Sequence, residues 1–416
     1  MSPQASTTAP TVDLDLSDPD FVADPYPTLG RLRQVGPVVQ QASTGMLLVD
    51  THAAVGAALR DRRLGRIWRD REPAATYAAF NALHSHQMME NEPPRHTRLR
   101  RLVAGAFARG HVQRMRPRVR QLADELLDAM AARASRAGGR TPVDLVADYA
   151  EPLPVAVIAD LLGVPAADRS LLRAWSQAIV RMYEYHRTNE VERAAVRASV
   201  EFTDYVRVLV AERRQAPGDD LLSDLVQASL DGSRLSEQEL IASVVLLLNA
   251  GHEASVNTFG NGVVVLLRHP AELARVVSGE VPVPTAVEEM LRHDGALQLF
   301  ERTATEPLQL ADVSVPAGAG VAVLLGAANR DPDAFSAPDR LDVGRDPNPH
   351  LGFGMGVHFC LGAPLARMEL EVAVQRLLSR FPAVSLVGDP QRRPTFVLRG
   401  FSRITVDLGA EVGSAA

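Results

Sequence analysis

A single cysteine, Cys360, stands within the run HLGFGMGVHFCLGAPLAR, and its surroundings limit what it can do. Gly352, Gly354, Gly356 and Phe353 precede it, and Gly362 follows just ahead of an apolar stretch of helical period. A thiolate ligand needs backbone N–H groups aimed at its sulfur, and residues without side chains let the backbone come that close. A helix beginning near Ala363 would present the positive end of its dipole and favour thiolate over thiol. A lone cysteine cannot close an internal disulfide, and by itself cannot supply a cysteine zinc cluster or an iron–sulfur site. Taken alone, it would ordinarily be an inert buried residue.

The second run with chemical content is LLLNAGHEASVNTFG, in which His252 and Glu253 interrupt an apolar stretch. Burial there would raise the carboxyl pKa of Glu253. The pair opens like the zinc motif H-E-x-x-H, but the second histidine would fall on Val256, so zinc hydrolysis is rejected. The Gly352, Gly354, Gly356 spacing lacks the last glycine of a dinucleotide fingerprint, because Val357 occupies that place. His84 and His86 with Glu90 and Glu92 form no defined metal set and read as a substrate-access loop. All 44 basic residues are arginine, which excludes Schiff-base chemistry and a phosphate-loop lysine.

Several elements must position these residues. Amphipathic helical stretches run from Arg116 to Arg214, and order should begin near Phe21, with a proline-punctuated turn opening VADPYPTLGRLRQVG, after a frayed lead-in over residues 1–20. Ser236 and Glu239 form a capping-box pattern that opens a long helix reaching toward Pro270, apolar on nearly all sides and thus a core helix, with a break expected near Ala250 and Gly251. A short helix spans Val287 to Arg292. Alternation from Leu297 to Leu325, with VPAGAG as a turn, predicts a small sheet. A helix from about Pro364 to Arg380 and a β-like tail complete the pattern. No internal repeat and no linker divides it, so one α-rich domain over 21–410 with a minor β region is expected.

Length and composition agree with an enzyme of one large core: 416 residues, 46% hydrophobic, 23% charged. A net charge of −6 argues against nucleic-acid binding. The N-terminal run lacks a signal-peptide pattern and no apolar run approaches the length of a membrane span, so a soluble, cytoplasmic protein without membrane contact is expected.

The string Phe353, Gly354, Gly356, His358, Cys360, Gly362 resembles the haem-thiolate signature of the cytochrome P450 family at every fixed position. Further marks follow in family order along nearly the whole chain. Glu289 and Arg292 resemble the E-x-x-R pair, whose role would be structural, with Arg340 or Arg345 as third partner. The resemblance implies a mainly α, single-domain P450 fold with haem b between the long central helix and the cysteine-loop helix. Cys360 would be the iron ligand, and His96, Arg100, Arg302 and His358 would hold the propionates, whose buried charge needs cations and donors.

Ala250 to Ser255 matches the family's oxygen-activating helix motif, with Glu253 as the acid, but Ala254 stands where a threonine hydroxyl is usual. Similarity to macrolide-precursor hydroxylases with alanine at this place implies that a substrate hydroxyl or ordered water replaces it, with Ser255 contributing through water. Oxidative ring closure or coupling without oxygen insertion is the alternative, and a catalytically silent haem protein that recruits a substrate is a second. By position, the substrate pocket would draw on His84, His86, Met88, Met89, Leu246, Asn249, Ala250, Ala296, Leu297 and Phe401. Among these Asn249 stands out, because a buried amide facing haem is costly until substrate or water satisfies it. The soluble bacterial branch of the family implies electrons from a ferredoxin and ferredoxin reductase, steered by arginines in RHTRLRR and ARGHVQRMRPRVR. It also implies a small-molecule substrate of antibiotic or other secondary metabolism, free or bound to a carrier protein.

Overall fold

Short runs rich in valine and leucine form a mixed sheet in the first of two units seen in the computed structural model, which describes residues 8–107, 111–135, 141–185, 187–230 and 232–411. This unit combines Met1–Ile67, His269–Cys360 and Arg392–Gly400. Its strands are β1 (Thr11–Val12), β2 (Val38–Gln41), β3 (Leu47–Val49), β4 (Leu64–Gly65), β5 (Leu299–Ala304) and β6 (Gly320–Leu324), in the order β1-β2-β3-β6-β5-β4. The β1–β2 and β3–β6 pairs are parallel and the others antiparallel. Branched side chains such as Val38, Val321 and Val323 pack well on such a pleated surface. The VPAGAG turn enters β6 with Gly318 at φ 83°, as its composition predicts.

Two expectations change here. The sheet is larger than the run from Leu297 to Leu325, because β6 pairs with β3 near the N-terminus. The stretch read as a frayed lead-in also contributes β1, in register with Gln40 and Gln41, and buried Ala9. Its residues 1–7 lie outside the described residues.

Glu289 and Arg292, both on the helix Val283–His293, form a wholly buried ion pair with two parallel bonds of 2.7 Å. Burying both charges is costly unless every remaining donor and lone pair is met. Here Arg292 also donates to the carbonyls of Asn329 and Pro338 at 2.8 Å, and its guanidinium lies 5.2 Å from the Phe335 ring centre. Glu289 accepts from the Asp342 N–H at 2.9 Å, Asn348 Nδ2 at 3.2 Å and Arg345 Nε at 3.2 Å. Arg345 is therefore the third partner, whereas Arg340 enters through its backbone carbonyl, which accepts from Arg292.

The second unit, Trp68–Arg268, Leu361–Gln391 and Phe401–Ala416, is helical. Its axis is the central helix Glu237–Leu267, opened by the expected capping box: Ser236 N–H donates to Glu239 at 3.0 Å and Glu239 N–H to Ser236 Oγ at 3.2 Å. Arg98 also binds Glu239. Around the axis pack Ala78–His86, Pro152–Leu162, Arg169–Val180, Asn189–Gln215 and Ala363–Arg380. The helix is long and apolar enough to cross a membrane by composition, with a window of mean hydropathy 1.2, contrary to the sequence expectation; 83% of that window is buried in the protein. It also runs unbroken past Gly251. That glycine instead permits close packing, since a Cβ there would lie 3.0 Å from Ile158 Cγ1.

The network predicts unequal losses. Arg345→Ala should lower unfolding stability by about 2 kcal/mol, the scale of a hydrogen bond to a charged group, and Arg340→Ala by less than about 0.5 kcal/mol. Urea unfolding of both variants checks this, and equal losses would contradict the assignment.

Candidate functional site

The cysteine loop is shaped by backbone contacts that side chains would block. Gly354 and Gly356 adopt φ 68° and 73°, a region that disfavours side chains. A Cβ on Gly356 would lie 2.3 Å from the Leu59 carbonyl oxygen, so the loop rests directly on the end of the helix His52–Arg60. Arg60 Nη1 reaches Met355 Sδ at 2.7 Å. The Cys360 N–H donates to the Phe353 carbonyl at 3.0 Å, and the Gly354 N–H to that of Leu351 at 2.8 Å. Gly356–His358 forms one tight helical turn. Cys360 is half-buried, three residues before the helix Ala363–Arg380, whose N-cap is Gly362. That positive helix end favours the ionised sulfur.

In the same unit, β5 brings Arg302 to this loop. Arg302 is buried, with its guanidinium 5.4 Å from the Phe300 ring centre, and Phe300 lies 4.0 Å from where a Gly354 Cβ would stand. Ala296 is buried and Leu297 bridges to Leu398.

In the helical unit, His96 and Arg100 lie one turn apart on Arg95–Phe107, His96 buried and Arg100 half-buried. Glu253 is buried with its Oε1 3.7 Å from His252 Nδ1. Between Glu239 and Val264 the central helix is buried except at exposed Ala250 and half-buried Gly251 and Ala254, the two alanines lying one turn apart. Leu246, Asn249 and Phe401 are buried, and Asn249 Oδ1 has no hydrogen-bond partner among the described residues.

His84 and His86 sit on the helix Ala78–His86 rather than a loop, with Met88 and Met89 in the tight turn that follows. The His84 ring stacks against both Trp68 and Phe80, with ring centres 4.6 and 4.1 Å away, and its nitrogens meet the Phe80 carbonyl and Tyr183 hydroxyl. It is an anchored core residue, whereas His86 is half-buried and contacts the Ala82 carbonyl at 2.9 Å.

Glu369 escaped the sequence reading. It lies on Ala363–Arg380, is 3% exposed, and shares a hydrogen bond with the Ser255 side chain. Burial pushes its pKa up to about 8, and the Ser255 bond offsets only part of that. The available signal was an acid within the helical stripe Leu365, Met368, Glu369, Val372, where an apolar residue is expected.

Comparison with known proteins agrees with this geometry. The family profile described as Cytochrome P450 matches residues 36–279 and 282–405. The chain belongs to the cytochrome P450 family. It is 41% identical over 413 residues to cytochrome P450 monooxygenase PikC of Streptomyces venezuelae, covering 97% of this chain and 96% of that one. It is 39% identical over 411 residues to 6-deoxyerythronolide B hydroxylase of Saccharopolyspora erythraea, covering 95% and 98%. The solved structure of P450BioI with acyl carrier protein bearing hexadec-9Z-enoic acid superposes with a TM-score of 0.88 at 32% identity, over 94% of this chain and all of that one.

As a P450, the protein is an oxidoreductase of the monooxygenase type with the P450 fold, and its cofactor is haem with a cysteine thiolate ligand. The residues present fit that group. The chain has one cysteine, its loop is drawn tight by glycines, and the central helix offers small side chains at Ala250 and Ala254.

Glu369 gives a pH prediction. Its native pKa of about 8 exceeds the ordinary 4.5, so between those values the native state holds a proton that the unfolded chain has released. Stability from this group therefore falls as pH rises across that window, by up to about 1.4 kcal/mol per pH unit. Glu369→Gln should remove that slope in urea unfolding; identical slopes in both proteins would contradict the raised pKa.

Proposed function

We propose that this P450 hydroxylates a bulky, oxygen-bearing substrate of macrolactone type in bacterial secondary metabolism, in the cytoplasm, with electrons from a ferredoxin and ferredoxin reductase. The observation that carries the reading is the central helix, where the open Ala250 and Ala254 positions adjoin the buried Ser255–Glu369 pair. The S. erythraea relative, named as a hydroxylase of 6-deoxyerythronolide B, supports this substrate class.

Haem bound through the Cys360 thiolate supplies oxygen activation, the thiolate donating electron density that favours O–O cleavage. Hydroxylation takes one O2, two electrons and two protons, puts one oxygen into a C–H bond and releases the other as water. His96, Arg100, Arg302 and His358 would hold the propionates, while Phe353, Gly354 and Gly362 would shape the loop around the sulfur.

Ala254 cannot pass a proton. Glu369 is mostly protonated at neutral pH and holds its proton one hydrogen bond from Ser255, so it is a donor in waiting. Glu253 is the second buried acid of this helix layer. A hydroxyl of the substrate or an ordered water completes the path that a threonine would otherwise serve.

Asn249 Oδ1 accepts a hydrogen bond from a substrate hydroxyl, which removes the cost of an unmet buried acceptor. Met88 and Met89 offer adaptable apolar side chains, and Leu246, Ala296, Leu297, Phe401 and His86 are the further candidates for contact with substrate. Exposed Arg101 and Arg120 give an acidic ferredoxin a cationic surface to approach, whereas Arg114 is engaged by Asp219 at 3.5 Å and Arg116 by Glu371 at 2.8 Å. Arg109 of the same basic run lies outside the described residues.

Optical titration of the ferric holoenzyme with macrolactones, tryptophan-derived peptides and flat aromatic polyketides tests the substrate class. A saturable spin-state shift is expected with macrolactones, followed by a product that gains one oxygen. A product that instead loses two hydrogens without added oxygen would establish coupling. Oxygen consumption that ignores substrate would establish the recruiting role. Ala254→Thr should bring no large gain in coupled turnover, because the substrate hydroxyl already serves; a large gain would overturn that part of the reading.

A further inference from the structure

Asp294, the residue that ends the helix Val283–His293, gathers two arginines and a tyrosine from distant parts of the chain. Its Oδ1 accepts from Tyr26 Oη at 2.7 Å and Arg399 Nε at 2.8 Å, and its Oδ2 from Arg392 Nη2 at 2.8 Å. The carboxyl is 4% exposed, and its pKa falls well below the usual carboxylate range because the two arginine charges outweigh burial. Arg399 extends the tie: its other two nitrogens donate to the carbonyls of Val22 and, at 2.8 Å, Ala23. Tyr26 is clamped in turn, its ring lying 4.2 Å beneath the Arg330 guanidinium and its hydroxyl accepting from Gln298 Nε2 at 3.2 Å.

The segment directly after Asp294 carries Ala296 and Leu297, and the segment that ends in Arg399 lies antiparallel beside it. Arg399 N–H donates to the Ala296 carbonyl at 2.7 Å, Gln298 N–H donates to the Val397 carbonyl at 3.1 Å, and Leu297 and Leu398 form the bridge between them. This is a single bridge rather than a sheet, so the ladder alone fixes it weakly. Asp294 and Arg399 stand at the same end of this bridge, one on each segment, and are locked to each other.

We infer that Tyr26, Asp294 and Arg399 are positioning residues for substrate selection: they set the register and depth of the Ala296–Leu297 wall without touching substrate. The inference rests on the reading that Ala296 and Leu297 wall the substrate pocket. Arg399→Lys is the sharpest probe, because a single ammonium cannot reach Asp294 and both carbonyls in the fork geometry of a guanidinium. Tyr26→Phe is the milder one. It keeps the ring beneath Arg330 and removes only the hydroxyl.

The test uses the haem-loaded protein and two azole ligands of the iron, imidazole and 4-phenylimidazole, the latter extending farther from the metal by its phenyl ring. Hydrogen exchange is read in parallel at the Gln298 and Arg399 amides. Both variants are expected to exchange faster at those two amides and to bind 4-phenylimidazole about tenfold more weakly, a loss on the scale of one such interaction. Imidazole affinity and the carbon monoxide spectrum should stay unchanged. Arg345→Ala, which weakens the same unit elsewhere, controls for stability; an equal loss of 4-phenylimidazole binding in it would overturn the proposal. Leu297→Ala separates the two failures. If it alters 4-phenylimidazole binding while Tyr26→Phe and Arg399→Lys do not, the wall stands and the positioning role falls. If it alters nothing, the wall itself is misassigned.

Discussion

The cysteine loop must pass closer to the Leu59 carbonyl than any side chain permits, and much of the first unit serves that one approach. A loop under such constraint has to be held from both sides. From below, the helix His52–Arg60 presents Leu59 and Arg60. From the chain upstream, Asn329 Oδ1 fixes the Leu351 N–H at 2.7 Å and Glu288 holds His350 at 2.9 Å. Asn329 in turn offers its carbonyl to Arg292, so the buried Glu289–Arg292 pair reaches the cysteine loop through a chain of directional bonds. A haem ligand is thereby positioned by an ion pair that never meets it.

Buried guanidinium groups recur in this chain for a reason of shape. With no lysine available, every basic contact is made by a planar fork that can satisfy a carboxylate and carbonyls together. Arg292 and Arg399 both use it so, each binding one carboxylate and two or more carbonyls. Complete satisfaction is what keeps such charges from destabilising the interior. The same completeness makes each network intolerant of small changes, because removing one partner leaves a charge in the core.

Legibility from sequence followed the range of the interactions. The cysteine loop could be read because its chemistry is local: glycines, thiol and helix start are contiguous. The capping box at Ser236 and the pair Glu289–Arg292 are three residues apart and equally visible. Choosing Arg345 over Arg340 required knowing which side chain turns inward in an irregular segment, and no periodicity reports that. Residues 11–12 were missed as a strand because two residues carry no alternation, and their pairing with Gln40 and Gln41 is tertiary. The break expected at Gly251 follows intrinsic propensity, which packing against Ile158 overrides. Glu369 was hidden because its meaning lies in Ser255, more than a hundred residues away.

That pair sharpens the question left by Ala254. Ser255 is one residue, hence about 100° of helical rotation, from Ala254. Its side chain shares a hydrogen bond with Glu369 on Ala363–Arg380. With its pKa pushed up to about 8 by burial, Glu369 favours the protonated form at neutral pH. A carboxylate there would be the costlier state, since only one hydroxyl offsets its burial. The acid can therefore give up a proton only if it regains one promptly, which suits a relay better than a reservoir. A proton leaving Ser255 must still cross to the alanine strip, and no side chain of Ala254 or Ala250 can carry it. Under the proposed function, a hydroxyl-bearing substrate would bring a mobile hydroxyl for that crossing only when bound, and proton delivery would then follow occupancy.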